Sequence, residues 1–248
     1  MKKVSLILTT YNCKDNLNIT LNSIEKQDYP NIEVIIKDGN SHDGTLEIIK
    51  EYQQRSRFQV KWKTERDTGI YDAMNQGYHM SSGEVIVFFN DVFVDSFVVS
   101  KMINKLDESE NCVGVHADLV YADGEKIVRR WKMGEGKINQ GWMPGHPTLF
   151  LKREIYEKYG LYDTSFKISA DYEFMIRFLK DDINQIAYLP ETIVSMFYGG
   201  TSSGGISNYL LSLKEGHRSL KKNKIPNACL IDIQRTLRVL FQFVKAKN

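Results

Sequence analysis

The fold class of this chain is decided by one stretch of sequence, which reads Ile32-Glu33-Val34-Ile35-Ile36-Lys37-Asp38-Gly39-Asn40-Ser41-His42-Asp43-Gly44-Thr45. Its largely apolar first part is typical of a buried strand. The turn that follows holds two glycines, which allow close backbone approach or a positive φ, and ends on Asp43 and Thr45, which can cap a helix. The stretch therefore predicts a strand–turn–helix unit.

The same unit recurs through the first part of the chain. Val4–Leu8, Gln59–Lys63 and Val85–Phe89 also read as strands, with helical apolar periods after each of them up to Leu106. The last of these runs is continuously apolar, as expected for a central strand that is buried on both faces. This alternation predicts right-handed crossovers and a mostly parallel α/β sheet of the Rossmann-like kind, flanked by helices.

The pattern changes after about residue 110. The expected elements are a hairpin at an Asp123-Gly124 turn, helices at Lys152–Tyr159 and Asp171–Leu179, strands at Gln185–Leu189 and Thr192–Phe197, and only helices after the glycine-serine segment Gly199–Gly205. We therefore divide the chain into an α/β half at residues 1–110, a second half of the same domain at 111–205, and a helical C-terminal tail at 206–248.

Composition narrows the class of protein. A chain of 248 residues with 42% hydrophobic and 26% charged residues suits a soluble globular domain, and a net charge of +2 is too weak to indicate a nucleic-acid partner. Cys13, Cys112 and Cys229 lie far apart, which fits a reducing cytosol and disfavours a zinc site or a disulfide framework. No apolar run is long enough for a signal peptide or a membrane span, so we expect a cytoplasmic protein.

Acidic and amide side chains follow the predicted strands. In an open α/β sheet, ligands bind beyond the carboxyl ends of the strands. Carboxylates there, without a matching cluster of lysines or histidines, suit a ligand that carries cations or offers hydroxyl and imide donors. Asp38 is expected to point into this crevice, where it can accept the N3–H of uracil or a sugar hydroxyl. Asp43 and Asp72 are also typical helix caps.

Three motifs taken together are more specific than a lone glycine pattern. They are Thr10-Tyr11-Asn12, Asp38–Thr45, and Gly69-Ile70-Tyr71-Asp72-Ala73-Met74-Asn75 with Gly77. With them the chain resembles the family 2 glycosyltransferases of the GT-A fold, and within that family the enzymes that build bacterial capsule, O-antigen and other cell-surface polysaccharides. The resemblance covers roughly the first 200 residues.

The resemblance implies a nucleotide-sugar donor, with uridine as the base by analogy, a divalent metal, and inversion at the anomeric carbon. It implies a glycan or polyprenyl-linked glycan as the acceptor. The residues that it assigns to the nucleotide sugar are Thr10, Tyr11, Asn12, Asp38, Asn40, Asp67, Asp72 and Asn90.

The segment Asn90-Asp91 stands where the family has an Asp-x-Asp metal motif. A departing diphosphate gains negative charge that Mg²⁺ or Mn²⁺ stabilises, and such hard cations need only one or two carboxylates besides water and phosphates. The acidic pair is missing here and the loop is shorter. We assign the metal to Asp91, which Asn90 can assist through its amide oxygen.

The segment Ser169-Ala170-Asp171-Tyr172-Glu173 stands where the family has its catalytic base. An acceptor hydroxyl is a poor nucleophile, and a positioned carboxylate can accelerate its attack by roughly 10²–10⁴. We assign the role of catalytic base to Asp171, with Glu173 as the second candidate. Asp171 also stands in the first turn of a predicted helix, where a carboxylate is a typical cap. His146 is a candidate for a phosphate or acceptor contact.

Three questions stay open at this point. The basic, amphipathic tail can rest on an anionic membrane surface or pack against the catalytic domain or a second subunit. A sugar-nucleotide nucleotidyltransferase is a rival function, but Thr9–Lys14 offers one lysine and no glycine to grip a triphosphate. A non-catalytic sugar-nucleotide module is a second rival, because the metal motif is reduced.

Overall fold

The structure is a computed structural model that describes residues 1–109, 111–180, 185–199 and 205–244. Its strands are β1 (Val4–Thr10), β2 (Ile32–Asp38), β3 (Gln59–Thr64), β4 (Val85–Phe88), β5 (Val92–Phe93), β6 (Cys112–Asp123), β7 (Lys126–Trp131), β8 (Phe150–Lys152) and β9 (Gln185–Phe197). Its α-helices are α1 (Lys14–Glu25), α2 (Thr45–Arg55), α3 (Ile70–Met80), α4 (Val98–Asp107), α5 (Arg153–Tyr159), α6 (Ala170–Leu179), α7 (Gly205–Lys222) and α8 (Ala228–Val244). Two short 3₁₀-helices lie at Ile138–Gln140 and His146–Thr148.

The described strands form one mixed sheet with the order β3-β2-β1-β4-β8-β6-β9-β5, and β7 pairs with β6 outside this path. The first four strands are parallel, as the strand–helix alternation predicts. β8 is antiparallel to both β4 and β6, so it joins the first half of the chain to the second. The fold is a curled α/β sheet of the GT-A kind.

Helices cover both faces of the sheet. The largest apolar cluster packs α1, α2 and α4 on one face through residues such as Leu21, Ile49 and Met102. A second cluster packs α3, α5 and α6 on the other face, with Met74 and Phe174 among its members. β1, β2 and β4 are buried along almost their whole length, which explains why they read as near-continuous apolar runs.

Two details differ from the sequence-based expectation, and a third expectation cannot be compared with the described residues. β5 and β8 have two and three residues, which is too short for a recognisable period. The two strands expected between Gln185 and Phe197 are one strand, β9, whose register against β6 shifts near Asp118. Most of the glycine-serine segment, residues 200–204, lies outside the described residues.

The C-terminal tail packs against the rest of the chain. Leu220 of α7 and Ile231 of α8 join Tyr172 and Ile176 of α6 in a third apolar cluster. Packing on the catalytic domain, one of the alternatives for the tail, is therefore what the described residues show. None of the helices in the described part of the chain combines the length and the apolar character needed to cross a membrane.

One buried acid ties the amino-terminal edge of the sheet together. Glu33 of β2 is fully buried and forms ion pairs with Lys3 at 2.9 Å and Lys61 at 3.2 Å. It also accepts hydrogen bonds from the Ser5 hydroxyl and the Ser82 backbone N–H. Burial alone raises the pKa of Glu33, but Lys3, Ser5 and Ser82 favour the charged form and lower the pKa to about 2.

We expect Glu33→Gln to lower stability mainly above pH 4.5, the ordinary pKa of the group. Because the folded state depresses this pKa, the carboxylate stabilises the fold above pH 4.5 and that stabilisation is lost as the pH falls toward 2. The loss at neutral pH is on the order of 3 kcal/mol. Urea unfolding at neutral and acidic pH measures it, and the exposed Glu51→Gln serves as the control. Equal pH dependence in both variants contradicts this assignment.

Candidate active site

The carboxyl ends of β1, β2 and β4 meet at one edge of the sheet, as they must in a parallel arrangement. A cavity of about 780 Å³ opens there. Its walls come from the turn after β1, the loop after β3, the start of α3, the residue after β4 and the end of β9. The polar and aromatic residues that line the cavity include Thr10, Tyr11, Arg66, Asp67, Asn90 and Phe197.

The Asp38 side chain is directed into the protein, not into this cavity. Asp38 is fully buried and its carboxylate accepts four hydrogen bonds: from Thr10 Oγ1 (2.9 Å), Thr64 Oγ1 (2.7 Å), and the Ser41 backbone N–H (2.9 Å) and Oγ (2.6 Å). Burial alone raises the pKa of Asp38, but these donors outweigh it and lower the pKa. The expectation that Asp38 points into the crevice is corrected, because the ends of β1 and β3 and the turn after β2 surround its carboxylate with donors.

The carboxylate that does face the cavity at this edge is Asp67. Its Oδ1 accepts the Gly69 N–H at 3.1 Å, and its Oδ2 lies 3.7 Å from the Nζ of the fully buried Lys37. A Cβ at position 39 would lie 2.8 Å from this Oδ2 and 3.3 Å from the Tyr11 ring. Gly39 therefore lets Asp67 and Tyr11 approach the turn after β2.

The other side chains assigned to the nucleotide sugar in this region shape the turns. Asn12 has φ of 45°, and its Oδ1 accepts the His42 N–H at 2.9 Å. Asn40 has φ of 69°, and its amide lies 3.1 Å from His42 Nε2. Asp72 accepts the N–H and hydroxyl of Thr68 at 2.9 and 3.0 Å, and the Thr68 N–H leads the causes that lower its pKa. None of the three lines the 780 Å³ cavity.

Asn90 and Asp91 follow β4 but face different surroundings. Asn90 lines the cavity, and its amide is paired with Thr9: Oδ1 accepts the backbone N–H at 3.0 Å and Nδ2 donates to Oγ1 at 2.9 Å. Asp91 is 9% exposed and lines neither large cavity. Burial raises the pKa of Asp91 to about 7, and a hydrogen bond from the Phe197 backbone opposes this rise.

These residues fit a divalent cation only in part. In the described part of the chain, no three His, Cys, Asp or Glu side chains gather into a metal-binding group. Asp91 is nevertheless a buried carboxyl, and among the described residues no lysine or arginine forms an ion pair with it. A hard cation that takes one carboxylate and completes its shell with water and phosphate oxygens suits such a site.

A second cavity, of about 1070 Å³, lies on the side of the second half and the tail. Asp171 lines it from the first turn of α6, and His146 lines it from the second 3₁₀-helix. Asp171 Oδ1 accepts a hydrogen bond of 2.9 Å from the hydroxyl of Tyr71, a residue of α3. Burial and then the charge of Asp171 raise the pKa of Tyr71, which therefore stays a donor.

His146 belongs to an aromatic group beside Asp171. Its Nε2 lies 2.8 Å from the Tyr162 hydroxyl, and its ring stacks on Phe88 with centroids 5.9 Å apart. Burial lowers the pKa of His146, while the charge of Asp171 acts in the opposite direction. The imidazole is therefore neutral near pH 7, and it borders the same cavity as Asp171.

Two buried acids hold the Asp171 segment in place. Glu173 is fully buried and contacts Arg177 at 2.9 Å and Lys222 at 3.0 Å, so it links α6 to α7. Glu215 of α7 accepts the backbone N–H groups of Lys167, Ile168 and Ser169 at 2.9, 3.0 and 3.1 Å. Sequence reasoning missed Glu215, because an acid in a basic helix gives no signal of a partner so far along the chain.

The two cavities share a wall. The consecutive residues Met196 and Phe197 of β9 line the larger and the smaller cavity respectively. Asp91 accepts a hydrogen bond from Phe197, and its charge helps to raise the pKa of Tyr121, which lines the larger cavity. Asp91 thus lies beside this wall, in contact with Phe197, and Asp171 lines the larger cavity. Asp38 is buried behind the smaller cavity. The three acids Asp38, Asp91 and Asp171 therefore do not line a single cleft.

A curled α/β sheet with a cavity beyond the carboxyl ends of its parallel strands is the arrangement in which α/β proteins bind nucleotides and related ligands. The family model for glycosyl transferase family 2 matches residues 5–182. The chain therefore belongs to glycosyl transferase family 2.

Relatives and solved structures agree with this membership. The chain is 26% identical over 216 residues to a PGL/p-HBAD biosynthesis glycosyltransferase of Mycobacterium bovis, covering 84% of this chain and 80% of that one. It is 27% identical over 231 residues to a dolichyl N-acetyl-alpha-D-glucosaminyl phosphate 3-beta-D-2,3-diacetamido-2,3-dideoxy-beta-D-glucuronosyltransferase of Methanococcus voltae, covering 82% and 68%.

Among solved structures, residues 1–349 of S. aureus TarS in complex with UDP-GlcNAc superpose with a TM-score of 0.75 at 18% identity, covering 98% of this chain and 79% of that one. The mannosyltransferase PcManGT of Pyrobaculum calidifontis with GDP-Man and Mn²⁺ gives a TM-score of 0.71 at 16% identity, covering 99% and 73%. At these identities the likeness establishes the fold.

We expect Asp38→Asn to destabilise the fold and Glu47→Gln, at an exposed position of α2, to leave stability nearly unchanged. An amide at position 38 offers an N–H₂ to the hydroxyl donors of Thr10, Ser41 and Thr64, so unfolding should become easier by about 1–3 kcal/mol. The Glu47 side chain is exposed, and its replacement should change stability by less than about 0.5 kcal/mol. Denaturant unfolding of the two variants measures this difference; an equal effect of both contradicts it.

Proposed function

We propose that this enzyme transfers a sugar, with inversion, from a nucleotide-sugar donor to a hydroxyl of a glycan or lipid-linked glycan acceptor. One observation carries the proposal: Asp171 lines the larger cavity and is hydrogen-bonded to Tyr71, in the helix whose first residues line the smaller one. Asp171, the proposed base in the larger cavity, thus lies close to the smaller cavity, the proposed donor site.

The smaller cavity is the donor site in this proposal. Thr10, Tyr11 and Asp67 hold the nucleoside, which we take to be uridine, and Asn90 lies toward the sugar or diphosphate. Asp38 acts indirectly, since its carboxylate fixes Thr10. Asn12, Asn40 and Asp72 act in the same way through the turns that they stabilise. The UDP-GlcNAc and GDP-Man complexes of proteins with this fold support such a donor.

A Mn²⁺ or Mg²⁺ ion would be held by Asp91, with the remaining ligands from water and the donor diphosphate. When bound, it stabilises the negative charge that develops on the diphosphate. Asp91 is suited to this role because it lies beside the wall between the two cavities.

The Asp171 carboxylate takes the proton of the acceptor hydroxyl as the new bond forms. In the same displacement the oxygen bonds to the anomeric carbon from the face opposite the diphosphate, and the bond from that carbon to the diphosphate breaks. The nucleoside diphosphate leaves, so the configuration inverts without a covalent intermediate. Tyr71 keeps Asp171 oriented through its 2.9 Å hydrogen bond. Glu173 is not the base in this proposal, because it is buried against Arg177 and Lys222.

The single carboxylate at the metal position also favours a second candidate, a non-catalytic module that binds a sugar nucleotide. A screen of nucleotide sugars, with and without Mn²⁺, tests both. Metal-dependent hydrolysis or transfer of one donor supports the enzyme. Metal-independent binding of a nucleoside diphosphate with no turnover of any donor supports the module.

With the donor found, we expect Asp171→Asn to leave donor affinity nearly unchanged and to lower transfer by roughly 10²–10⁴, because the proton acceptor is lost. Titration calorimetry with the nucleoside diphosphate and an assay of transfer separate the two effects. The exposed Glu154→Gln of α5 is the control. Parallel losses of binding and turnover would make Asp171 a structural residue.

We further propose that the tail brings this cytoplasmic enzyme to the inner face of the cell membrane. Leu230, Ile233 and Leu237 of α8 are 53%, 58% and 48% exposed, and their spacing places them on one face of the helix. Exposed lysines of the same tail add attraction to anionic lipids. This location suits an acceptor on a polyprenyl carrier.

We expect Ile233→Asp with Leu237→Asp to weaken binding to phosphatidylglycerol vesicles about tenfold, because two aliphatic side chains no longer enter the lipid. Cosedimentation measures this binding. Ile19→Asp, at a site on α1 that is 49% exposed, is the matched control. Vesicle binding that is equally strong in both proteins contradicts membrane contact through α8.

A further inference from the structure

Four cationic side chains line the larger cavity together with Asp171. Arg130 lies in β7 and Lys132 follows the last residue of that strand. Arg235 and Arg238 are three residues apart on α8, so they share one helix face. Both pairs border the same cavity, and the only acidic side chain among its described lining residues is Asp171.

These cations lack carboxylate partners. Arg235 lies over the Tyr172 ring at 4.5 Å and donates to the Ser212 carbonyl at 3.4 Å, and Arg238 Nε donates to the Gln140 carbonyl at 3.3 Å. Within the described ranges, no Asp or Glu lies within ion-pair distance of any of the four. Four like charges around one cavity repel one another, and an anion placed among them removes that repulsion.

The arginines of α8 are held in position by the backbone. Gly141 has φ of 67° at the end of the first 3₁₀-helix, and a Cβ there would lie 2.8 Å from the backbone nitrogen of Arg235. The glycine therefore allows α8 to lie directly against this turn. This contact fixes the backbone of α8 at Arg235, and the Tyr172 ring orients the guanidinium of that residue. The planar guanidinium of an arginine matches the oxygens of a phosphate group.

Aromatic rings accompany the cations. Trp131 and Trp142 line the same cavity, and the Trp142 Nε1–H donates to the Met133 carbonyl at 3.0 Å, which fixes the ring. Flat apolar surface beside fixed positive charge suits a ligand that has both a carbon-rich body and an anionic group.

From this charge arrangement, we propose that the acceptor is an anion whose phosphate or diphosphate binds between Arg130, Lys132, Arg235 and Arg238. This inference rests on the proposed function, in which Asp171 receives the proton of the acceptor hydroxyl, and it names the acceptor class. The phosphate belongs to a polyprenyl-linked sugar or to a phosphodiester-linked polymer; the two share this chemistry.

Two synthetic ligands test the proposal in the absence of donor. Both carry the same sugar and the same short isoprenoid chain, joined by a diphosphate in one and by a neutral glycosidic bond in the other. Titration calorimetry should show binding of the diphosphate ligand at least about tenfold tighter, with a strong salt dependence. Equal affinities of the two ligands overturn the proposal.

The site is tested by charge removal. Arg130→Gln with Lys132→Gln should weaken binding of the diphosphate ligand about tenfold and leave the neutral ligand within about twofold. The matched control is Lys50→Gln with Lys126→Gln, which removes the same charge from exposed positions outside the cavity. Unchanged binding of the diphosphate ligand by the Arg130/Lys132 variant overturns the proposal.

A third ligand, a sugar phosphodiester without the chain, separates the sources of the phosphate. Tight binding of this ligand at Arg130 and Lys132 supports the proposal and assigns a polymer acceptor, and a requirement for the chain supports it and assigns a lipid carrier. The proposed function is tested apart from this, by the nucleotide-sugar screen on the unaltered protein. Phosphate binding without any active donor thus refutes the enzyme and keeps the anion site.

Discussion

The arrangement of the proposed donor site depends on one buried carboxylate. Asp38 stands at the end of β2 and accepts hydrogen bonds from the ends of the two neighbouring strands, through Thr10 and Thr64, and from Ser41 in its own turn. These bonds hold three strand ends in register at the edge where ligands bind in parallel sheets. Asp67 and Tyr11 face the smaller cavity because this edge is fixed behind them.

The proposed acceptor site is organised from the C-terminal tail. α7 supplies Glu215, which accepts three successive backbone N–H groups just before α6, and Lys222, which pairs with Glu173 inside α6. α6 in turn presents Asp171 to the larger cavity and to Tyr71. The position of the proposed base is thus set by residues that follow it by more than a helix and a strand.

The sequence predicted the elements and motifs that local patterns encode, but not the contacts between residues far apart in the chain. The apolar runs of β1, β2 and β4 identified the parallel sheet, and the motif around Asp171 identified a segment that does line a cavity. The direction of Asp38 was predicted wrongly, since it is set by Thr64 across β3, which no spacing rule connects to it. Glu215 was missed for the same reason, and β5 is too short to show a period.

The part of the chain that matches the family ends at residue 182, before α7 begins. A protein shortened to that boundary would lose Glu215, and the N–H groups of Lys167, Ile168 and Ser169 would face solvent or remain unpaired. Chimeras that exchange the last two helices between family members would therefore also exchange the support of the proposed proton acceptor, even though every motif residue stays in place.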